Sequence, residues 1–142
     1  MTLKALTLCA TAAAVLAGAT AANAGILHFQ ATLRGTAEAP PNATTGKGHI
    51  TAVVDTERRV LDYTVTYAGL TGPVTAAGLH DLIPGQADPA FPSPAPADSE
   101  IHAVVNLTPQ EVDDLNAGHW VFDIATAANP NGEIRGTLRR GD

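Results

Sequence analysis

Cysteine is nearly absent from this 142-residue chain, whose single cysteine is Cys9. Cys9 lies in the apolar stretch Ala5–Leu16, which follows a short basic start and precedes Ala22-Asn23-Ala24, a small-residue cleavage site. This pattern is typical of a secretory signal peptide. We therefore expect residues 1–24 to be a signal peptide and residues 25–142 to be the mature chain. A mature chain without cysteine excludes disulfides, thiol catalysis, cysteine-ligated zinc and iron–sulfur clusters.

Basic residues are also scarce. The 118 residues of the mature chain carry 7 Lys and Arg against 14 Asp and Glu, a net charge of −7. Lys47 is their single lysine, and adjacent basic pairs occur only at Arg58-Arg59 and Arg139-Arg140. Binding of a phosphate backbone needs clustered positive charge, so we expect no nucleic-acid partner. No later stretch reaches 18 apolar residues, so we expect no membrane span.

Turn residues and alternating apolar residues are what the mature chain has in abundance. It is long enough for one domain with its own core, and Gly and Pro make up 22 of its 118 residues. The period-two alternation predicts an all-β fold of seven strands, arranged as a Greek-key sandwich or barrel. The predicted strands span about 26–34, 47–55, 59–68, 74–80 and 100–107, with two more through Trp120, Phe122 and Ile124 and through Ile134, Gly136 and Leu138.

Two stretches interrupt this pattern. Thr108-Pro109-Gln110-Glu111 combines an N-cap, a proline at the first helical position and a capping box, which predicts one short helix over 109–117. Residues 82–98 hold five prolines, so we expect an exposed loop that cannot pair as a central strand. The small residues Ala76-Ala77-Gly78 of the fourth strand predict close approach of another backbone or side chain.

Three segments in order resemble the CHRD family, named after its occurrence in the extracellular antagonist chordin and also found as single-domain exported bacterial proteins. They are Phe29-Gln30-Ala31-Thr32-Leu33 running to Glu38-Ala39-Pro40-Pro41, Leu61-Asp62-Tyr63-Thr64-Val65 running to Gly69-Leu70, and Asn129-Pro130-Asn131-Gly132-Glu133-Ile134-Arg135-Gly136. The likeness covers essentially the whole mature chain. It implies an immunoglobulin-like β-barrel that is distantly similar to copper/zinc superoxide dismutase.

The sequence departs from this family at its histidines. The resemblance implies an Ala-His-x-His run on the fourth strand and a His-Thr pair on the sixth, where this chain has Ala77-Gly78-Leu79-His80 and Ala125-Thr126. Two of three histidines are therefore missing, and we expect neither dismutase activity nor a cofactor. The alternative is weak copper or zinc binding by His80 and His102, which flank the proline-rich loop, with Asp81 nearby.

Asp123, Glu133 and Arg135 form a third candidate group. If Ile124 and Ile134 point inward, the alternation places these three charged residues together on the outward face. Glu133 and Arg135 can pair with each other or with Asp123 on a neighbouring strand, and we favour such a fold-closing ion pair over catalysis. If a metal binds, the same patch would surround its ligands.

No residue set specifies a reaction. Ser93 and Ser99 are the only serines of the mature chain, and no Gly-x-Ser-x-Gly motif is present. The sequence therefore favours a non-enzymatic exported protein, periplasmic or extracellular, that acts as a binding or structural module toward a protein or other envelope partner. The weak metal-binding protein is the second reading, and an uncharacterised enzyme is the third.

Overall fold

The chain folds into one antiparallel β-sheet with a single α-helix, in a computed structural model that describes residues 25–83, 91–94, 96 and 99–141. The predicted signal peptide over 1–24 lies outside these residues. The described elements are β1 (Ile26–Arg34), a 3₁₀ turn (Gly35–Ala37), β2 (Lys47–Asp55), β3 (Val60–Ala68), β4 (Val74–Asp81), β5 (Phe91–Pro92), β6 (Glu100–Asn106), α1 (Pro109–Ala117), β7 (Trp120–Thr126), β8 (Ile134–Thr137) and β9 (Arg139–Arg140).

The strand order of the sheet is β5-β4-β7-β8-β1-β2-β3-β6, with β9 paired to β1. The sheet is nearly closed into a barrel, because residues from distant places in this order meet. The Tyr63 ring of β3 packs edge-on against Phe122 of β7 with centroids 5.7 Å apart. The Tyr63 hydroxyl also lies 2.7 Å from the Oγ of Ser93, which is the residue directly after β5. The predicted all-β fold with one short helix is thus confirmed.

The predicted number of seven strands is wrong, because nine are present among the described residues. The two extra strands, β5 and β9, have two residues each. Two residues are too few to show a period-two alternation, which is the signal that revealed the other seven. Pro92 also occupies one of the two positions of β5, at the edge of the sheet where proline is tolerated.

The core follows from the alternation along the long strands. On β1, for example, Phe29, Ala31 and Leu33 are buried, while the residues between them are exposed. The inward side chains of both halves of the barrel pack together as one core. Its largest fully buried members are Trp120, Tyr63, Phe122, Leu33, Ile50, Leu61, Leu79, Ile101, Leu115, Ile124, Ile134 and Leu138.

The predicted helix is confirmed, and it begins and ends at the expected residues, Pro109 and Ala117. Thr108 Oγ1 accepts a hydrogen bond from the Glu111 backbone N–H at 3.2 Å, and the Thr108 N–H donates to Glu111 Oε2 at 2.6 Å. Gly118 ends the helix with a φ of 82°, a conformation that glycine adopts without steric cost. Within the described part of the chain, no helix is long and apolar enough to span a bilayer.

The proline-rich segment is only partly described, since residues 84–90, 95, 97 and 98 lie outside the structure. Phe91 and Pro92 pair with Leu79 and Gly78 of β4 as an edge strand. This part of the segment is therefore not a loop, but it is not a central strand either, as the prolines predicted. A Cβ on Gly78 would lie 2.7 Å from the Phe91 carbonyl oxygen, so the close approach predicted for this part of β4 is confirmed. The Phe91 ring stacks on Trp120 with centroids 5.5 Å apart.

Candidate functional site

Four charged or titratable side chains form a continuous series on the outer side of the sheet, which we call the ion-pair chain: His80, Asp123, Arg135 and Glu38. His80 Nε2 lies 3.3 Å from Asp123 Oδ1. Arg135 Nη2 lies 3.5 Å from Asp123 Oδ2, and Arg135 Nε lies 3.6 Å from Glu38 Oε2. One guanidinium therefore joins two carboxylates that come from different parts of the chain.

Sheet register explains why three of these residues meet. Asp123 of β7 lies directly opposite Arg135 of β8, and Gly78 is its partner on the other side, in β4. His80 lies two residues beyond Gly78 on the same strand face and reaches Asp123 diagonally. Direct and diagonal cross-strand neighbours are within reach of long side chains, so the register alone places these three residues in contact.

Glu38 approaches from the segment after the 3₁₀ turn. Its side chain is 3% exposed. Burial raises the pKa of its carboxyl group, while the nearby Arg135 lowers it. Gly132 packs directly on this carboxylate, because a Cβ there would lie 2.6 Å from both oxygens. Gly132 also has a φ of 126°, so both its space and its backbone conformation favour glycine.

An open cleft of about 200 Å³ lies beside Glu38. Its two walls are the segments 38–42 and 128–132, which contain the Glu-Ala-Pro-Pro and Asn-Pro-Asn-Gly sequences. Asn42 Nδ2 joins the walls by donating a hydrogen bond to the Glu133 carbonyl oxygen at 3.0 Å. The two segments thus form one surface, with proline rings and amide groups on it.

Glu133 forms a separate, fully buried centre at 0% exposure. Its carboxylate accepts hydrogen bonds from the hydroxyls of Thr44 at 2.7 Å, Thr126 at 2.6 Å and Thr71 at 2.8 Å. The Thr71 backbone N–H donates a fourth, at 2.9 Å. Burial alone would raise the pKa of Glu133, but these bonds to the charged form lower it to about 2. The carboxylate therefore ties the loops that contain Thr44 and Thr71 to the end of β7.

The model of the CHRD domain family matches residues 29–138. The chain belongs to the CHRD family. The matched range starts at a core residue of β1, ends at Leu138, and contains the ion-pair chain, Glu133 and the cleft of this CHRD domain. No curated protein matches the chain, and no solved structure does either. The distant similarity to copper/zinc superoxide dismutase stays a prediction.

The CHRD domain brings together two of the three residues that the sequence placed on one outward patch. Asp123 and Arg135 are in contact, but Glu133 is buried and turned toward Thr44, Thr71 and Thr126. The difference arises because Glu133 precedes β8, so the alternation of that strand does not fix its direction.

Sequence reasoning missed Glu38 as a partner of Arg135. The residue was visible only as part of a family segment, Glu38-Ala39-Pro40-Pro41. Its contact joins positions 97 residues apart in the chain, and such a contact depends on how the segment after β1 folds back over β8. No local pattern carries that information.

His80 and His102, the suggested metal ligands, have different carboxylate partners. His80 lies beside Asp123, whereas His102 Nε2 of β6 lies 2.9 Å from Asp62 Oδ1 of β3. Asp81 is buried and faces inward from the end of β4. In residues 25–83, 91–94, 96 and 99–141, no three His, Cys, Asp or Glu side chains are grouped so that they could hold a metal ion. Copper or zinc binding by the two histidines stays a prediction.

Proposed function

We propose that this CHRD domain is an exported, non-enzymatic module that binds a protein or other component of the cell envelope, or has a structural role there. It acts in the periplasm or outside the cell. The proposal combines the signal-peptide pattern of residues 1–24 with membership of the CHRD family. We place the binding surface at the cleft between segments 38–42 and 128–132.

The observation that most supports binding is that side-chain contacts fix the position of the cleft walls. Arg135 joins Glu38, at one wall, to Asp123 in the sheet. Asn42 joins the same wall to the other by its hydrogen bond to Glu133. The ionic groups next to the cleft are thus engaged in fixing its shape. Loops that a rigid sheet holds in one arrangement lose little conformational entropy when they bind a partner.

Site-specific crosslinking in producing cells tests the proposal. Asn131 is exposed at the rim of the cleft, and Asn106 is exposed on β6. We expect the mature chain to form a crosslink with one envelope component. The substitution Asn131→Arg should reduce its yield at least about tenfold, as for loss of a central contact, while the matched control Asn106→Arg should leave it unchanged.

Two results would contradict the proposal. One is a chain that stays in the cytoplasm uncleaved. The other is turnover of a substrate by the purified protein, abolished by His80→Ala or Arg135→Met in variants that remain folded by circular dichroism.

Weak copper or zinc binding by His80 and His102 is the alternative function. Calorimetric titration of the purified protein with copper checks it: saturable binding that both His80→Ala and His102→Ala abolish would support it. Binding that neither substitution changes would rule out this pair of ligands.

A further inference from the structure

Glu38 has an unused hydrogen-bond acceptor at the cleft between segments 38–42 and 128–132. Its side chain is 3% exposed, and it is one of the residues that line the cleft. Oε2 lies 3.6 Å from Arg135 Nε. Among the residues that the structure describes, Oε1 has no hydrogen-bond partner. A buried carboxylate oxygen without a donor is costly and uncommon, so its position requires an explanation.

The charge of Glu38 is only partly neutralised by the chain itself. The distance of 3.6 Å to Arg135 Nε exceeds the length of a charge-assisted hydrogen bond, about 2.7–2.9 Å. Arg135 also shares its guanidinium with Asp123, whose Oδ2 lies 3.5 Å from Nη2. One cation therefore serves two carboxylates, and both contacts are long. A second cation near Glu38 would meet a carboxylate that is still able to attract it.

Gly132 covers the Glu38 carboxylate with backbone alone. A Cβ at this position would lie 2.6 Å from both carboxylate oxygens, so a side chain would not fit there. Gly132 is also part of the cleft wall. A charge beneath so thin a wall acts on groups in the cleft through protein of low dielectric, where Coulomb attraction is stronger than in water.

The walls of the cleft suit the stem of a long side chain. They present the rings of Pro40, Pro41 and Pro130, all of which are exposed. Neither segment 38–42 nor segment 128–132 contains a Lys, Arg or His, and the whole chain has 14 Asp and Glu against 8 Lys and Arg. No basic residue of either wall therefore repels a cation, while Glu38 attracts one.

The size of the cleft limits what it can enclose. Its volume of about 200 Å³ is below the range of pockets that hold drug-sized molecules, about 300–1,000 Å³. Lysine and arginine side chains combine a charged head with an apolar stem that packs along apolar surface. One such side chain matches both the charge of Glu38 and the proline rings, whereas an anionic group would be repelled by Glu38.

We propose that the cleft binds a cationic side chain, lysine or arginine, of the envelope partner. The proposal rests on the proposed function and specifies its partner as a polypeptide with an exposed basic residue. The ammonium or guanidinium group lies over Gly132 and is held by the charge of Glu38. The stem of the side chain packs on the proline rings of the walls.

Titration with a minimal probe, followed by NMR, tests the proposal. N-acetyl-lysine amide carries its ε-ammonium as a single charge, and N-acetyl-norleucine amide has a similar stem without the charge. We expect millimolar lysine probe to shift the backbone N–H signals of Ala39, Asn42, Asn131 and Gly132 in the purified protein, with saturation. The norleucine probe should bind at least about fivefold more weakly, as for loss of a close charge pair.

Variants of the protein locate the effect at Glu38. Glu38→Gln should weaken binding of the lysine probe at least about fivefold. Glu100→Gln, an exposed change of the same kind on β6, should leave it unchanged. If Glu38→Gln fails to fold by circular dichroism, Asn131→Lys replaces it, because a cation at the exposed rim competes with the probe; Asn106→Lys is its control. Equal binding of the two probes, absence of a saturable shift, or lysine binding that these variants leave unchanged would each overturn the proposal.

The crosslinking experiment at Asn131 separates this proposal from the function on which it rests. A crosslinked envelope component, together with lysine binding that Glu38→Gln leaves unchanged, would support the proposed function and overturn the cationic ligand. A lysine titration with the expected result, but no crosslink in producing cells, would support the cationic ligand and contradict the envelope partner.

Discussion

Buried carboxyl groups lie at both ends of the β4–β7 strand pair, in opposite chemical settings. Glu133 is near the end where β7 finishes at Thr126, and four donors point at its oxygens. Asp81 lies at the other end, opposite Trp120, with the acid Asp114 of α1 as a neighbour. Both are nearly inaccessible to water, yet the pKa of Glu133 is lowered and that of Asp81 is raised. Burial raises the pKa of Asp81 and Asp114 adds to that effect, whereas at Glu133 four hydrogen-bond donors outweigh the effect of burial.

This difference gives the two ends opposite responses to acid. Glu133 stabilises the fold above its unfolded pKa of 4.5, and this stabilisation is lost as the pH falls toward about 2. Asp81, whose pKa is raised, stabilises the fold on the acid side and loses that contribution as the pH rises through its pKa in the folded chain. Changing one end should therefore alter the acid limb of a stability profile, and changing the other should alter its alkaline limb.

Glu133→Gln is expected to have the largest effect. The pKa shift from 4.5 to about 2 corresponds to roughly 3 kcal/mol of unfolding free energy at neutral pH. Glutamine also places an NH₂ donor against hydroxyl groups that donate to the carboxylate in the wild type, so that donors face donors. Urea unfolding at neutral pH and at about pH 2 measures the loss, which should shrink in acid. Glu100→Gln, an exposed change of the same kind on β6, is the control. A loss below about 1 kcal/mol would contradict the role of Glu133.

Sequence reasoning reached the strands and the helix but neither carboxyl centre, for a physical reason. The alternation of Leu61, Tyr63 and Val65 on β3 is a local property, and so is the capping box of Thr108 and Glu111. The contacts of Glu133 instead join it to the loops that contain Thr44 and Thr71, which are distant in the chain, as well as to the end of β7. Asp123 with Arg135 was accessible because both lie inside paired strands, where the alternation fixes the direction of the side chains.

Arg135→Met should have the next largest effect, about 2 kcal/mol at neutral pH, because it leaves the buried Glu38 carboxylate without its cation. The pKa of Glu38 should rise further, so the loss should diminish as the pH falls and Glu38 takes up a proton. Arg34→Met is the matched control, since Arg34 lies opposite Arg135 in the β1–β8 register but is exposed. Urea unfolding measures the loss of unfolding free energy in each variant. Equal losses in the two variants would mean that the ion pairs of Arg135 do not stabilise the fold.

Asp81→Asn tests the other end of the β4–β7 pair and should act in the opposite direction. Replacing Asp81 by an amide removes the cost of a buried charge beside Asp114, so at about pH 8 the variant should be as stable as the wild type or up to about 1 kcal/mol more stable. At about pH 4 this difference should shrink, because the raised pKa of Asp81 favours its uncharged form in the wild type. Thermal unfolding at both pH values gives the comparison. If the stability of the variant relative to the wild type is lower at about pH 8 than at about pH 4, the raised pKa of Asp81 is contradicted.

His102→Ala is expected to have the smallest effect, although its contact with Asp62 is shorter than the contacts of the ion-pair chain. His102 Nε2 and Asp62 Oδ1 are 2.9 Å apart, but the two side chains are 56% and 55% exposed. Water and salt compete for both groups, so the variant should lose about 0.5 kcal/mol or less. A double-mutant cycle with Asp62→Ala, at low and high salt, isolates the pair. A coupling energy above about 1 kcal/mol would contradict this expectation, because an exposed pair would then have the energy that the buried centres owe to exclusion of water.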